Sequence, residues 1–226
     1  RERVNFETLL YQVLRSSGEQ TSADTNLTSA FSVGTGVRVV NADKLFSQGS
    51  IVSTDNALDL AVDGAGFFQV LLPDGRIGYT RNGTFSRNNE GALTTSSGFV
   101  IQPEVVIPED AQEINVSSDG VVSVQLPGAV EQEEVGQIEL AEFQNRNGLQ
   151  PIGESFYVET TASGEAIIAN PLEGSFGKLV QGALESSNVS VVKELVDMIE
   201  TQRAYEVNSK AITSVDEMLR FVSNNL

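Results

Sequence analysis

Gly64-Ala65-Gly66, the acid series Asp55, Asp59 and Asp63, and a pool of 31 carboxylates are the residues of this 226-residue chain whose types and spacing could do chemistry. A glycine pair after a strand can open a dinucleotide turn, where backbone amides at a helix N-terminus face a pyrophosphate. Here Phe67-Phe68-Gln69 continues as strand and no third glycine opens a helix, so no cofactor is expected. An EF-hand calcium loop needs ligands at alternate positions and a closing Glu, whereas these three acids stand four apart with mostly apolar residues between them. Two carboxylates at the right separation suffice for glycoside hydrolysis, but none of those present sits in a recognisable frame. Cys and His are absent, which removes thiol nucleophiles, imidazole bases and every zinc site built on sulfur or imidazole. No catalytic, cofactor-binding or metal residue is expected, and the chain reads as something other than an enzyme.

Lys and Arg total 14 against 31 Asp and Glu, a formal charge of −17 that repels nucleic-acid phosphates and anionic lipid at long range. Nucleic acid is therefore not an expected partner. The imbalance is local. No Lys or Arg lies between Arg87 and Arg146, where Glu104, Glu109, Asp110, Glu113, Asp119, Glu131, Glu133, Glu134, Glu139 and Glu142 gather. That stretch predicts an acidic face, either a solvated surface or a seat for a basic partner. No run of 18 apolar residues occurs, so direct membrane insertion by a helix is not expected, and no signal peptide follows Arg1. The lack of Cys leaves the compartment open.

The elements that carry these residues fall into three textures. Residues 1–57 read as an extended connector or arm with short β elements. Phe6, Leu9, Leu10, Val13 and Leu14 recur at helical spacing there, but briefly, and Gly18 to Ser32 is polar and poor in apolar anchors. Residues 58–187 read as an antiparallel β-domain of short apolar runs, with strands near Leu58 to Val62, Phe67 to Leu72, Ile77 to Thr80, Ala92 to Thr95, Ile114 to Val116, Val121 to Val124, Gln137 to Phe143, Phe156 to Thr160 and Leu179 to Leu184. Between them Asp74-Gly75, Asn82-Gly83, Glu90-Gly91, Asp119-Gly120 and Asn147-Gly148 place Gly where tight hairpins want positive φ. Residues 188–226 read as one C-terminal coiled-coil helix, because no Gly or Pro follows Gly182. Val191, Met198, Tyr205, Ile212, Leu219 and Leu226 fall seven apart, and Thr201, Asn208, Val215 and Val222 lie three further on. Such a helix would reach roughly 50 Å, longer than a β-domain of this size covers. The seam then needs a helical partner, or else the helix packs back along its own sheet. Asn208 either fixes register on the seam or turns to solvent.

The run Asn188-Val189-Ser190-Val191-Val192-Lys193-Glu194-Leu195-Val196-Asp197-Met198-Ile199-Glu200-Thr201-Gln202-Arg203-Ala204-Tyr205-Glu206-Val207-Asn208 resembles the C-terminal signature of the bacterial flagellar rod and hook axial proteins. Phe6-Glu7-Thr8-Leu9-Leu10-Tyr11-Gln12, Gly34-Thr35-Gly36-Val37, Asp63 to Val70 with Leu72-Pro73-Asp74-Gly75, Tyr79-Thr80-Arg81, Ser118 to Val124 and Gln181-Gly182 carry the likeness through the chain, and within the family it is greatest to the distal rod branch. The resemblance implies a mainly β fold with a long coiled-coil helix. It also implies a self-assembling subunit of a rigid tubular drive shaft that transmits torque from motor to hook. Family members begin with a helix and an Asn-rich segment, so the resemblance implies a preceding helix that pairs with Ser190 to Leu226 as the inner layer of the tube.

The implied partners are other copies in a helical tube, the proximal rod and hook proteins, and the periplasmic and outer-membrane rings around the rod. The implied location is the periplasm-spanning rod, reached through the flagellar export channel without a cleaved signal. On this reading the subunit interface comprises Val191, Met198, Tyr205, Asn208, Ile212, Val215, Leu219, Val222 and Leu226, with Leu10, Tyr11 and Leu14 lodged against neighbours. The segment Leu9 to Thr28 would stiffen the tube, and Glu131, Glu133 and Glu134 would face the rings. A hook or proximal rod protein, a secreted adhesin-like module pairing a β-domain with a coiled coil, and a glycosidase are the alternatives.

Overall fold

The computed structural model describes residues 2–15, 20–22, 25–26, 31–128 and 132–224. It is mostly β, with a single long helix at the C-terminal end. The entering strands Ile51–Ser53 and Leu60–Asp63 pair antiparallel with the leaving strands Ala183–Glu185 and Lys178–Gln181, so the chain enters and leaves the β body side by side. The sequence predicts one strand from Leu179 to Leu184. Gly182 divides it, because its φ of +66 lies in the left-handed region that a β-branched or bulky residue resists.

Between these strands runs a seven-stranded sheet in the order Gln150–Gly153, Phe156–Val158, Ile77–Thr80, Phe67–Leu71, Leu140–Glu142, Ile167–Ala169, with Ile101–Gln102 also paired to Phe67–Leu71. Phe67 and Phe68 point to opposite faces, as alternation along a strand requires. Each therefore nucleates its own core. Phe68 packs with Leu60, Phe85, Leu93, Ile101, Ile138 and Leu140, where a second, three-stranded sheet closes the layer through Val122 and Val124. Phe67 packs with Tyr79, Ala141, Phe143 and Leu149. At about 1.5–3 kcal/mol for each fully buried large side chain, these two clusters supply the fold's main driving force.

The predicted strand from Gln137 to Phe143 is two, Glu133–Gln137 and Leu140–Glu142. Between them the Ile138 amide donates to the Gly120 carbonyl, which turns the chain from one sheet into the other. The positive φ expected at Gly83 and Gly148 is not found, and both glycines have another cause. A side chain on Gly83 would place its first carbon 1.6 Å from the Leu60 carbonyl oxygen, and one on Gly148 would place it 2.5 Å from the Ser163 nitrogen. Close approach of backbone to backbone requires glycine at both.

The helical spacing from Phe6 to Leu14 is overturned. Glu2–Thr8 is a strand paired antiparallel with Val37–Lys44, and Tyr11–Arg15 pairs with Phe31–Gly34. Even the polar connector contains a strand pair, Gln20–Ser22 with Thr25–Asn26. The cross-strand hydrogen bonds of this two-stranded ribbon satisfy a backbone that a short helix would have left open at both ends. Its base is fixed to the β body by Phe46, edge-on to Phe67 and Tyr157 at 5.8 and 5.4 Å, and by Lys44, whose ammonium donates to the Leu149 carbonyl at 2.5 Å.

The helix runs Val191–Asn224, and the Glu194 amide donates to the Ser190 carbonyl in its first turn. Every described residue from Leu195 to Ser223 is exposed. The helix does not pack back along its own sheet.

Candidate assembly interface

The ribbon has two chemically different faces. Partners across an antiparallel pair share a face, and faces alternate along each strand. Val4 opposite Ala42, Phe6 opposite Val39, and Thr8 opposite Val37 therefore line one side, with the extra residue Val40 accommodated by a bulge between Asn5 and Phe6. The other side carries Arg3 opposite Asp43, Asn5 opposite Asn41, and Glu7 opposite Arg38. There the Asn5 amide donates to Asn41 at 2.9 Å and to Asp43 at 2.6 Å, while Arg38 and Glu7 form an ion pair at 3.0 Å. On the polar side Asn5, Asn41, Asp43, Glu7 and Arg38 thus bond to one another. The apolar side is exposed, with Phe6 68% accessible.

Further along the ribbon Leu10 is 88% exposed and Tyr11 is exposed beside Gly34. Of the predicted contact residues there, Leu10 and Tyr11 thus project from the ribbon, and Leu14 lies on the strand with its side-chain surroundings outside the described residues. The sequence reading missed Val4, Phe6, Val37 and Val39. Their signal is the alternation at Val4 and Phe6, matched by Val37 and Val39.

On the helix Val191, Met198, Tyr205, Ile212, Val215, Leu219 and Val222 are all exposed, as is Asn208; Leu226 lies outside the described residues. At about 100° per residue, the seam positions drift around less than half of the helix surface. Val192, Val196, Ile199, Val207 and Phe221 occupy the opposite side and are exposed as well. A helix apolar on two opposite sides is stable only when covered on both, so one two-stranded pairing would leave half of its apolar surface in water. The heptad reading alone understates what this helix needs.

Glu133 and Glu134 are exposed on the edge strand Glu133–Gln137 of the three-stranded sheet, and Glu131 lies outside the described residues. Arg146 pairs with Glu142 at 2.5 Å, so the acidic stretch is neutralised at its C-terminal end. Among the described residues no group of three or more acids is placed to hold a metal ion. Burial pushes the Tyr79 phenol up to about 12, with the Glu159 charge adding to the effect, so Tyr79 stays neutral and serves the core. Among the described residues no helix is long and apolar enough to cross a membrane.

Residues 61–124 match the family model of the flagellar hook protein FlgE/F/G D1 domain, and residues 180–226 match that of the flagellar basal body rod FlgEFG protein C-terminal region. The chain is 48% identical to the flagellar basal-body rod protein FlgG of Buchnera aphidicola subsp. Schizaphis graminum over 223 residues, covering 99% of this chain and 86% of the relative. It is 36% identical to the FlgG of Bacillus subtilis over 229 residues, with the same coverage of 99% and 86%. The flagellar hook protein FlgE of Salmonella typhimurium is 42% identical, but over 118 residues that make up 52% of this chain and 29% of the relative. Likeness to the hook protein is thus partial, and likeness to the rod protein spans the ribbon, the β body and the helix.

Proposed function

This chain belongs to the flagellar basal-body rod protein family FlgG, and from that premise we propose which of its surfaces build the rod. It is a structural subunit of the flagellar basal body and assembles with other axial flagellar proteins. The finer reading is that copies polymerise into a helical tube with the helix in the inner layer and the β body outside, and that the chain is not an enzyme. The absence of Cys and His from the sequence supports the last point. One observation carries the assembly reading: the helix and the apolar side of the ribbon are both uncovered. Helices lie against the helix on both of its apolar sides, and a neighbouring copy lies against the ribbon.

Residues 9–28 stiffen the tube. A chain lacking them is expected to polymerise into curved filaments, read by electron microscopy, and filaments as straight as those of the parent chain would contradict this role. Glu133 and Glu134, with Glu131 beside them in sequence, face the periplasmic and outer-membrane rings. Lys at all three positions is expected to reduce motor rotation and ring retention in purified basal bodies, because a change of six charge units within four residues of sequence turns attraction to a basic ring surface into repulsion. Unchanged rotation and ring retention would remove the acidic face from the interface.

A further inference from the structure

We infer that Arg81 and Glu185 form a latch that holds the helix and the ribbon in one fixed relation, so that the two elements meet their neighbours as a unit. Glu185 ends the last strand of the β body, six residues before the helix begins. Its two carboxylate oxygens face different parts of the molecule. One accepts from the Gly49 amide at 2.9 Å, on the segment that links the ribbon to the β body. The other accepts from Arg81, with the ion pair at 2.7 Å.

Arg81 is used in full. Its guanidinium also donates to the carbonyls of Gly64 at 2.9 Å, Gly66 at 2.8 Å and Val62 at 3.1 Å, which fixes it to the turn between two strands of the β body. The two side chains are 22% and 13% exposed. In so dry a position the pair is poorly screened, and removing either partner leaves the other as an uncompensated charge. A lysine at position 81 keeps the charge but loses the planar fork that reaches the carboxylate and three carbonyls together.

A second tie runs parallel to the first. Asn188, two residues before Ser190, donates to the carbonyls of Leu45 at 2.9 Å and Ser47 at 2.8 Å. The segment approaching the helix is thus bonded along residues 185–188 to the segment leaving the ribbon, residues 45–49. The two lie so close that a side chain on Gly49 would meet the Ser186 carbonyl oxygen at 1.7 Å. Arg81 and Glu185 line a cleft of about 410 Å³ between these segments, so the pair closes a junction that the core does not fill. The consequence for assembly rests on the proposed function; the coupling itself does not.

The chain has no Cys, so thiols introduced at the exposed positions Val40 and Lys193 are the only attachment points for spin labels. Pulsed electron–electron distance measurement on the full chain is expected to give a single peak between them. E185A and R81K are expected to lose that single peak, while a control pair at Ser86 and Glu109 within the β body keeps its own. A single peak retained in E185A overturns the latch, whether or not the variant polymerises. Should E185A lose the control peak as well, E185Q decides: it keeps an acceptor for Gly49 but weakens the hold on Arg81, and retention of its ribbon-to-helix peak overturns the inference. Polymerisation that survives charged substitutions on the ribbon and the helix would instead overturn the assembly reading, and would leave the distance result standing.

Discussion

Tyr205→Asp and Ile212→Asp are each expected to leave a folded chain that no longer polymerises at concentrations where the parent chain does. Both positions are exposed in the free subunit, Tyr205 at 75%, so the β body loses nothing when they change. In the polymer they would be dehydrated against neighbouring helices, and an aspartate there must be desolvated without a partner or protonated. That penalty is about 4 kcal/mol, equivalent to about a thousandfold rise in the concentration needed for assembly. Sedimentation of the polymer against free subunit reads the result, with circular dichroism checking that the β body is intact. Glu206→Ala provides the contrast, since a charged residue outside both apolar stripes should change assembly little. Normal polymerisation of both aspartate variants would mean that the seam is not a contact.

The second large effect is expected on the ribbon. Phe6→Asp removes the largest side chain from its apolar side and sets a charge there. If a neighbour covers that side, the loss is about 3 kcal/mol or more, and assembly weakens by about a hundredfold. Glu7→Ala, one residue away, alters only the exposed Arg38 ion pair and should cost less than about 1 kcal/mol. Adjacent residues are thus expected to differ sharply because they lie on opposite sides of the same strand. Equal effects of the two substitutions, read in the same sedimentation assay, would contradict an amphipathic contact.

The helix is legible in the sequence because its cause is local: heptad spacing, no Gly or Pro after Gly182, and a run long enough to propagate. The turns are legible for the same reason, although Gly83 and Gly148 answer to close backbone approach. The ribbon is not. Phe6 pairs with Val39 across more than thirty residues, and the alternation on either strand is too short to outweigh a coincidental helical spacing. Gln150–Gly153 and Ile167–Ala169, the two outer strands of the seven-stranded sheet, also escape notice. Pro151 argues against a strand except at an edge, and three residues give no period to read. Of the candidate surfaces, the helix seam could be read as apolar and orphaned. Its second apolar side required the helix to be seen uncovered all round. The Arg81 and Glu185 pair, 104 residues apart, had no sequence signal at all.

The helix is left bare by the β body and the ribbon and becomes covered on assembly. A single cysteine at Ile212 in this otherwise thiol-free protein tests it most directly, through its rate of reaction with a maleimide in free subunit and in polymer. Free subunit should react as an exposed thiol does. In the polymer the rate should fall by about a hundredfold or more, to that of a site reached only by local opening. The same rate in both states would contradict the account.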